Sequence, residues 1–138
     1  MVLWLEDCTG DCQSLVGGKA VGLGALLREG LQVPPGFVVT THAFREHVER
    51  NRLGPDIERL LGESNASNEI RALFENTRLS PQLEDEVLGA HQRLRGGPMA
   101  IRSSATAEDL TDASFAGQQE TYLWIIEPQH VLKSVVRC

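Results

Sequence analysis

Gly96-Gly97-Pro98 divides this chain into two patterns that must pack differently. Upstream, apolar residues recur at helical spacing. The sets are Ala20, Leu23, Leu26 and Leu27; Phe44 and Val48; Ile57, Leu60 and Leu61; Ile70, Leu73 and Phe74; Leu83, Val87, His91 and Leu94. Each set lays one apolar stripe along a helix, with polar residues outward. Downstream, Met99-Ala100-Ile101-Arg102 reads as a short strand ending in a charge. An irregular stretch of small and polar residues runs from Ser103 to Gly117. Gln119 to Ile126 then reads as a strand, with Tyr122, Trp124 and Ile126 on one face and Leu123 and Ile125 on the other. Both periods in one chain predict a mixed α+β fold.

Start and stop signals set the boundaries. The first long helix runs from Gly18 to about Glu29, with Gly30 as its stop. Val33-Pro34-Pro35-Gly36 is a stiff connector into the β-branched run Phe37-Val38-Val39-Thr40, a buried strand. Trp4 and its neighbours form another short strand. Thr41 caps a helix, Pro55 opens a short one, Ser67 caps the next, and Ser80-Pro81 starts a fourth. Pro128 opens a last helix carrying Val131, Leu132, Val135 and Val136. It meets Cys138 without a stop signal, so the expectation is that more sequence normally follows. The predicted architecture is one domain over 1–138. Strands near 37–40, 98–102 and 119–126 make a small sheet, the Gly18 helix covers it, and a helical insertion occupies about 42–95.

Charge and apolar content exclude several classes. Thirteen Lys and Arg against nineteen Asp and Glu leave a net charge of −6, which argues against nucleic acid or an anionic membrane as the main partner. An apolar content of 41% supports a core, mainly aliphatic because aromatics are only 5%. No run of apolar residues is long enough to cross a membrane, and the N-terminus lacks a basic signal-peptide region. The expected location is the cytoplasm, with Cys8, Cys12 and Cys138 as reduced thiols. Cys8 and Cys12 have no cation near them in sequence, so neither reads as reactive. Their C-x3-C spacing, with His42 and His47 on different helix faces, predicts no metal site. His91 reads as a partly buried packing residue.

Two segments carry anion-binding chemistry. In Val16-Gly17-Gly18-Lys19, the glycines let a ligand approach the backbone, and the helix beginning there presents free N–H groups. Lys19 adds a full charge in a first turn whose dipole disfavours a cation. The plainer reading is that Lys19 reaches solvent and the glycines only pack. The segment matches neither a Walker A loop nor a dinucleotide fingerprint. The second segment places Arg102 at a strand's end beside Ser103, Ser104 and Thr106, with Gly117 and Thr121 further on. An arginine so placed suits bidentate phosphate binding. Its plainer reading is a pair between Arg102 and Glu108 or Asp109.

In order, the chain carries Val16-Gly17-Gly18-Lys19, Val33-Pro34-Pro35-Gly36-Phe37, Arg102-Ser103-Ser104-Ala105-Thr106-Ala107-Glu108-Asp109-Leu110 and Ala113-Ser114-Phe115-Ala116-Gly117-Gln118-Gln119-Glu120-Thr121-Tyr122-Leu123. Together these resemble the N-terminal part of the phosphoenolpyruvate synthase (pyruvate, water dikinase) family, and rifampicin phosphotransferases and pyruvate phosphate dikinases share much of the pattern. The resemblance implies the first lobe of an ATP-grasp nucleotide-binding domain. It implies ATP phosphate contacts at Lys19, Arg102, Gly117 and Thr121, supported by Gly17, Gly18, Ser103 and Ser104.

The implied chemistry is a relay. The β-phosphoryl group of ATP passes to a histidine on a separate domain and then to pyruvate, giving phosphoenolpyruvate, AMP and phosphate. The partners implied are ATP, Mg²⁺ held by ligands outside this chain, the second ATP-grasp lobe and the phosphohistidine domain. No catalytic residue falls within these 138 residues, so the chain alone is not expected to be catalytic. The same lobe of a rifampicin phosphotransferase, or a standalone non-catalytic nucleotide-binding module, are the alternatives. Trp124 stands where the family often has Asn, so the end of that strand departs from the family pattern.

Overall fold

A computed structural model describes residues 1–104 and 121–138. Among these are β1 (Val2–Trp4), α1 (Gln13–Arg28), β2 (Phe37–Val39), α2 (Thr41–Arg50), α3 (Gly54–Leu60), α4 (Ala66–Glu75), α5 (Pro81–Arg93), β3 (Met99–Arg102), β4 (Thr121–Ile125) and α6 (Pro128–Arg137). Two 3-10 turns, Leu5–Asp7 and Gly10–Cys12, join β1 to α1. The fold is α+β, and its middle third is helical.

The strands do not join into one sheet as expected. β1 pairs antiparallel with β2, and β3 pairs antiparallel with β4, as two separate ladders among the described residues. The strand around Trp4, which the expected sheet left out, is the partner of β2. Leu3 lies opposite Val38, and the edge-on Trp4–Phe37 ring contact at 6.0 Å locks this register. The expected alternation along β4 also fails. Tyr122 and Ile125 are half-buried, while Leu123, Trp124 and Ile126 are exposed. Trp124 has φ 64°, and the ladder shifts register between Met99 and Ile101. That irregularity moves every later side chain to the other face. Left-handed backbone favours Asn over a bulky ring.

Local hydrogen bonds place the helix ends. α1 closes with Gly30 N–H on the Leu27 carbonyl and Leu31 N–H on the Leu26 carbonyl, each 3.0 Å, a Schellman stop. The Ser80 hydroxyl accepts from Leu83 N–H ahead of Pro81. At α2 the cap is Thr40 rather than Thr41, because the Thr40 hydroxyl is the one that accepts from Ala43 N–H. Asn65, not Ser67, precedes α4, and its side chain makes no cap bond.

Two cores result. Ala43, Leu79, Leu83, Val87, Val131 and Leu132 fill one, among α2, α5 and α6. Leu5, Cys8, Val16 and Ala20 fill the other, beneath α1. Two stripes are turned from their expected direction. α1 buries Ala20 and Gly24 while Leu26 is exposed, since small residues let the Leu5–Cys8 turn come close. α2 buries Ala43 and His47 while Phe44 is 56% exposed. Phe44 instead stacks on Phe74 at 5.8 Å. His91 is 2% exposed, more deeply buried than expected, and its Nε2 has no hydrogen-bond partner among the described residues.

His47 gives the fold an acid-sensitive point. Its Nε2 lies 2.8 Å from the Thr77 hydroxyl, and its ring stacks on Phe74. Burial, helped by the nearby Arg50 charge, holds the imidazole below its ordinary value of 6.5. As pH falls through that value, the unfolded chain takes up the proton first. The stability from neutral His47 is therefore full above 6.5 and is lost as pH falls toward the depressed folded value. In urea titrations the wild-type midpoint should fall on acidification from about pH 7 to about pH 5. A smaller fall is expected for His47→Gln, and equal falls in both proteins would remove His47 as the cause.

Candidate nucleotide-phosphate site

Gly17 breaks α1. Its φ of 77° and ψ of 161° lie in a region essentially closed to residues with a Cβ. The regular helix therefore restarts at Gly18, and the expected beginning there corresponds to this break. The turn places Val16 and Lys19 against the far end of β3. Lys19 Nζ donates to the Ser103 carbonyl at 2.9 Å, across 84 positions of sequence. The Ser104 hydroxyl donates to the Val16 carbonyl at 3.1 Å, across 88 positions. The plain reading of Lys19, a side chain merely reaching solvent, does not hold, because its ammonium is bonded to the second segment.

β3 and β4 then set the rest. Arg102 lies directly opposite Thr121 in the ladder, so the two side chains leave the same face as cross-strand neighbours. Both are exposed. Ser103 follows Arg102 immediately, so the Lys19–Ser103 bond brings the lysine-bearing turn to the end of β3. The Ser103 hydroxyl is buried, with no hydrogen-bond partner among the described residues. Gly18 is half-buried beside Lys19. Gly117, Thr106, Glu108 and Asp109 lie outside the described residues, and so does the alternative pairing of Arg102 with those carboxylates.

Some contacts have no sequence signal. The Thr41 hydroxyl donates to the Ser14 carbonyl at 3.0 Å and ties α2 to the start of α1. The cation missing near Cys8 in sequence is Arg28, whose Nη1 donates to the Cys8 carbonyl at 2.8 Å. Only the fold brings them together. Among the described residues no group of three or more His, Cys, Asp or Glu could hold a metal ion. The donors present here are cationic, hydroxyl and amide groups, a set that suits phosphate oxygens and not Mg²⁺.

Residues 13–138 match the pyruvate phosphate dikinase, AMP/ATP-binding domain, and so include both segments of the site. The chain belongs to that family. It is also similar to phosphoenolpyruvate synthases of known sequence. It is 40% identical over 151 residues to the phosphoenolpyruvate synthase of Aeropyrum pernix, covering 98% of this chain and 18% of that protein. It is 42% identical over 151 residues to the probable phosphoenolpyruvate synthase of Archaeoglobus fulgidus, covering 99% and 20%. It is 35% identical over 157 residues to the phosphoenolpyruvate synthase of Aquifex aeolicus, covering 100% and 18%. The chain thus spans about a fifth of the length of these curated relatives. No helix among the described residues is long and apolar enough to cross a membrane.

Proposed function

We propose that this chain grips the phosphates of ATP in the first lobe of an ATP-grasp domain, as one part of a phosphoenolpyruvate synthase-like phosphotransferase. Lys19 supplies a compact positive charge, Arg102 a planar bidentate donor and Thr121 a hydroxyl, with Gly117 offering backbone N–H. Phosphoryl transfer needs donors fixed before negative charge develops on the transferred group. The observation that carries the reading is the Lys19–Ser103 bond, which ties the glycine-rich turn to the strand end bearing Arg102. The names of the relatives favour pyruvate over an antibiotic as final acceptor.

In this reading the β-phosphoryl group moves to a histidine outside the chain and then to pyruvate. Mg²⁺ comes with the nucleotide and is held by residues beyond these. The 138 residues alone do not complete the relay. The full-length protein, given ATP, Mg²⁺ and pyruvate, should produce AMP, phosphate and phosphoenolpyruvate, followed by chromatography of the nucleotides. ADP as the sole nucleotide product would overturn the relay. Phosphate appearing on rifampicin while pyruvate stays inert would replace the acceptor and leave the ATP site in place.

A further inference from the structure

Cys8 and Cys12 meet in the turn that leads into α1, apart from the phosphate residues. Cys8 is fully buried and Cys12 half-buried. The Cys8 thiol donates to the Trp4 carbonyl at 3.3 Å. The Cys12 sulfur accepts from Thr9 N–H at 3.1 Å, and its S–H donates to the Thr9 carbonyl at 3.0 Å. Thr9 N is bonded directly to the carbonyl carbon of Cys8, so the Cys12 sulfur rests against the peptide that leaves Cys8. Cys12 is part of the electrostatic surroundings of the Cys8 thiol. A disulfide needs Cα atoms roughly 4.4–6.8 Å apart and a right-angled S–S torsion. Closing the pair asks the Cys12 sulfur to leave Thr9 and the Cys8 sulfur to leave the Trp4 carbonyl.

We propose that Cys8 and Cys12 are a redox modification site, which closes to an intramolecular disulfide when the protein meets a hydroperoxide. Cys12 has the accessible sulfur and reacts first. Its thiolate attacks the peroxide oxygen, the O–O bond breaks, and with hydrogen peroxide the products are a sulfenic acid and water. The Cys8 sulfur then attacks the Cys12 sulfur. The S–S bond forms, the S–O bond breaks, and the departing hydroxide leaves as water with the Cys8 proton. Two thiols are oxidised, and one peroxide is reduced to two waters.

The surroundings give the two cysteines different parts. Burial first, then the neighbouring Cys12 and Asp7, push the Cys8 thiol up to about 11, while Arg28 pulls the other way. Cys8 is therefore inert toward peroxide in bulk water and serves as the resolving partner. Closure would take Cys8 from the Trp4 carbonyl and Cys12 from Thr9, immediately ahead of the helix that bears Gly17 and Lys19. The bond itself does not depend on the nucleotide reading.

The test is hydrogen peroxide on the full chain, then thiol alkylation in denaturant and non-reducing peptide mapping. The tryptic peptide ending at Lys19 should lose two hydrogens. Alkylation at both cysteines should fall by about tenfold or more and return after dithiothreitol. Cys138→Ser should leave this unchanged, and Cys12→Ser should abolish it with Cys8 still alkylated. Sulfinic acid on Cys12 with Cys8 still alkylated, or full alkylation of both after peroxide in the wild-type chain, would overturn the proposal.

Discussion

Lys19→Ala in the full-length protein should lower kcat/KM for ATP by more than tenfold, about 1.4 kcal/mol or more, and Arg102→Ala should do the same. The two variants reach that result differently. Arg102 is exposed, so its removal should leave the melting temperature nearly unchanged. Lys19 also holds the Ser103 carbonyl, so Lys19→Ala should cost some stability besides its kinetic effect. Measuring both quantities separates a ligand contact from a strut. Normal ATP kinetics in both variants would remove the phosphate assignment, and a purely thermal effect at Lys19 would reduce that residue to a strut.

Gly24→Val should be the most damaging substitution away from that site. A Cβ at Gly24 would stand 2.5 Å from the Leu5 and Cys8 carbonyl oxygens and 3.2 Å from the Cys8 Cβ. Two of the three obstacles are backbone, so no side chain can rotate away. Overpacking of this kind costs about 3 kcal/mol, which for a chain this size lowers the melting temperature on the order of 10 °C. Gly22→Val is the matched control, since nothing lies within 4 Å of a Cβ there. Equal melting temperatures for the two variants would show that the α1 contact with the turn is loose.

What sequence could and could not reveal divides along the range of the interactions. The α1 stop at Gly30 and the Ser80-Pro81 start depend on neighbours a few positions away, and both were legible. That the Gly17-Gly18-Lys19 turn bonds to Ser103 and Ser104 was not legible, because those contacts span more than eighty positions. The pairing of β1 with β2 was not legible. Several short apolar strands had similar claims on each other, and only packing chose among them. Nor was the burial of His47 in place of Phe44, which rests on Thr77 and Phe74 about thirty positions away. The Trp124 irregularity is half-legible. A residue type unsuited to left-handed backbone stands in a strand, and its φ of 64° shows where the alternation slips.

Arg102 and Thr121 mark the mouth of a long connection, one on each side of the hairpin. An anion bound by both would act as a rivet across that opening. Ligand occupancy should then register as slower amide exchange in β3 and β4, so that the hairpin reports binding before any product is made.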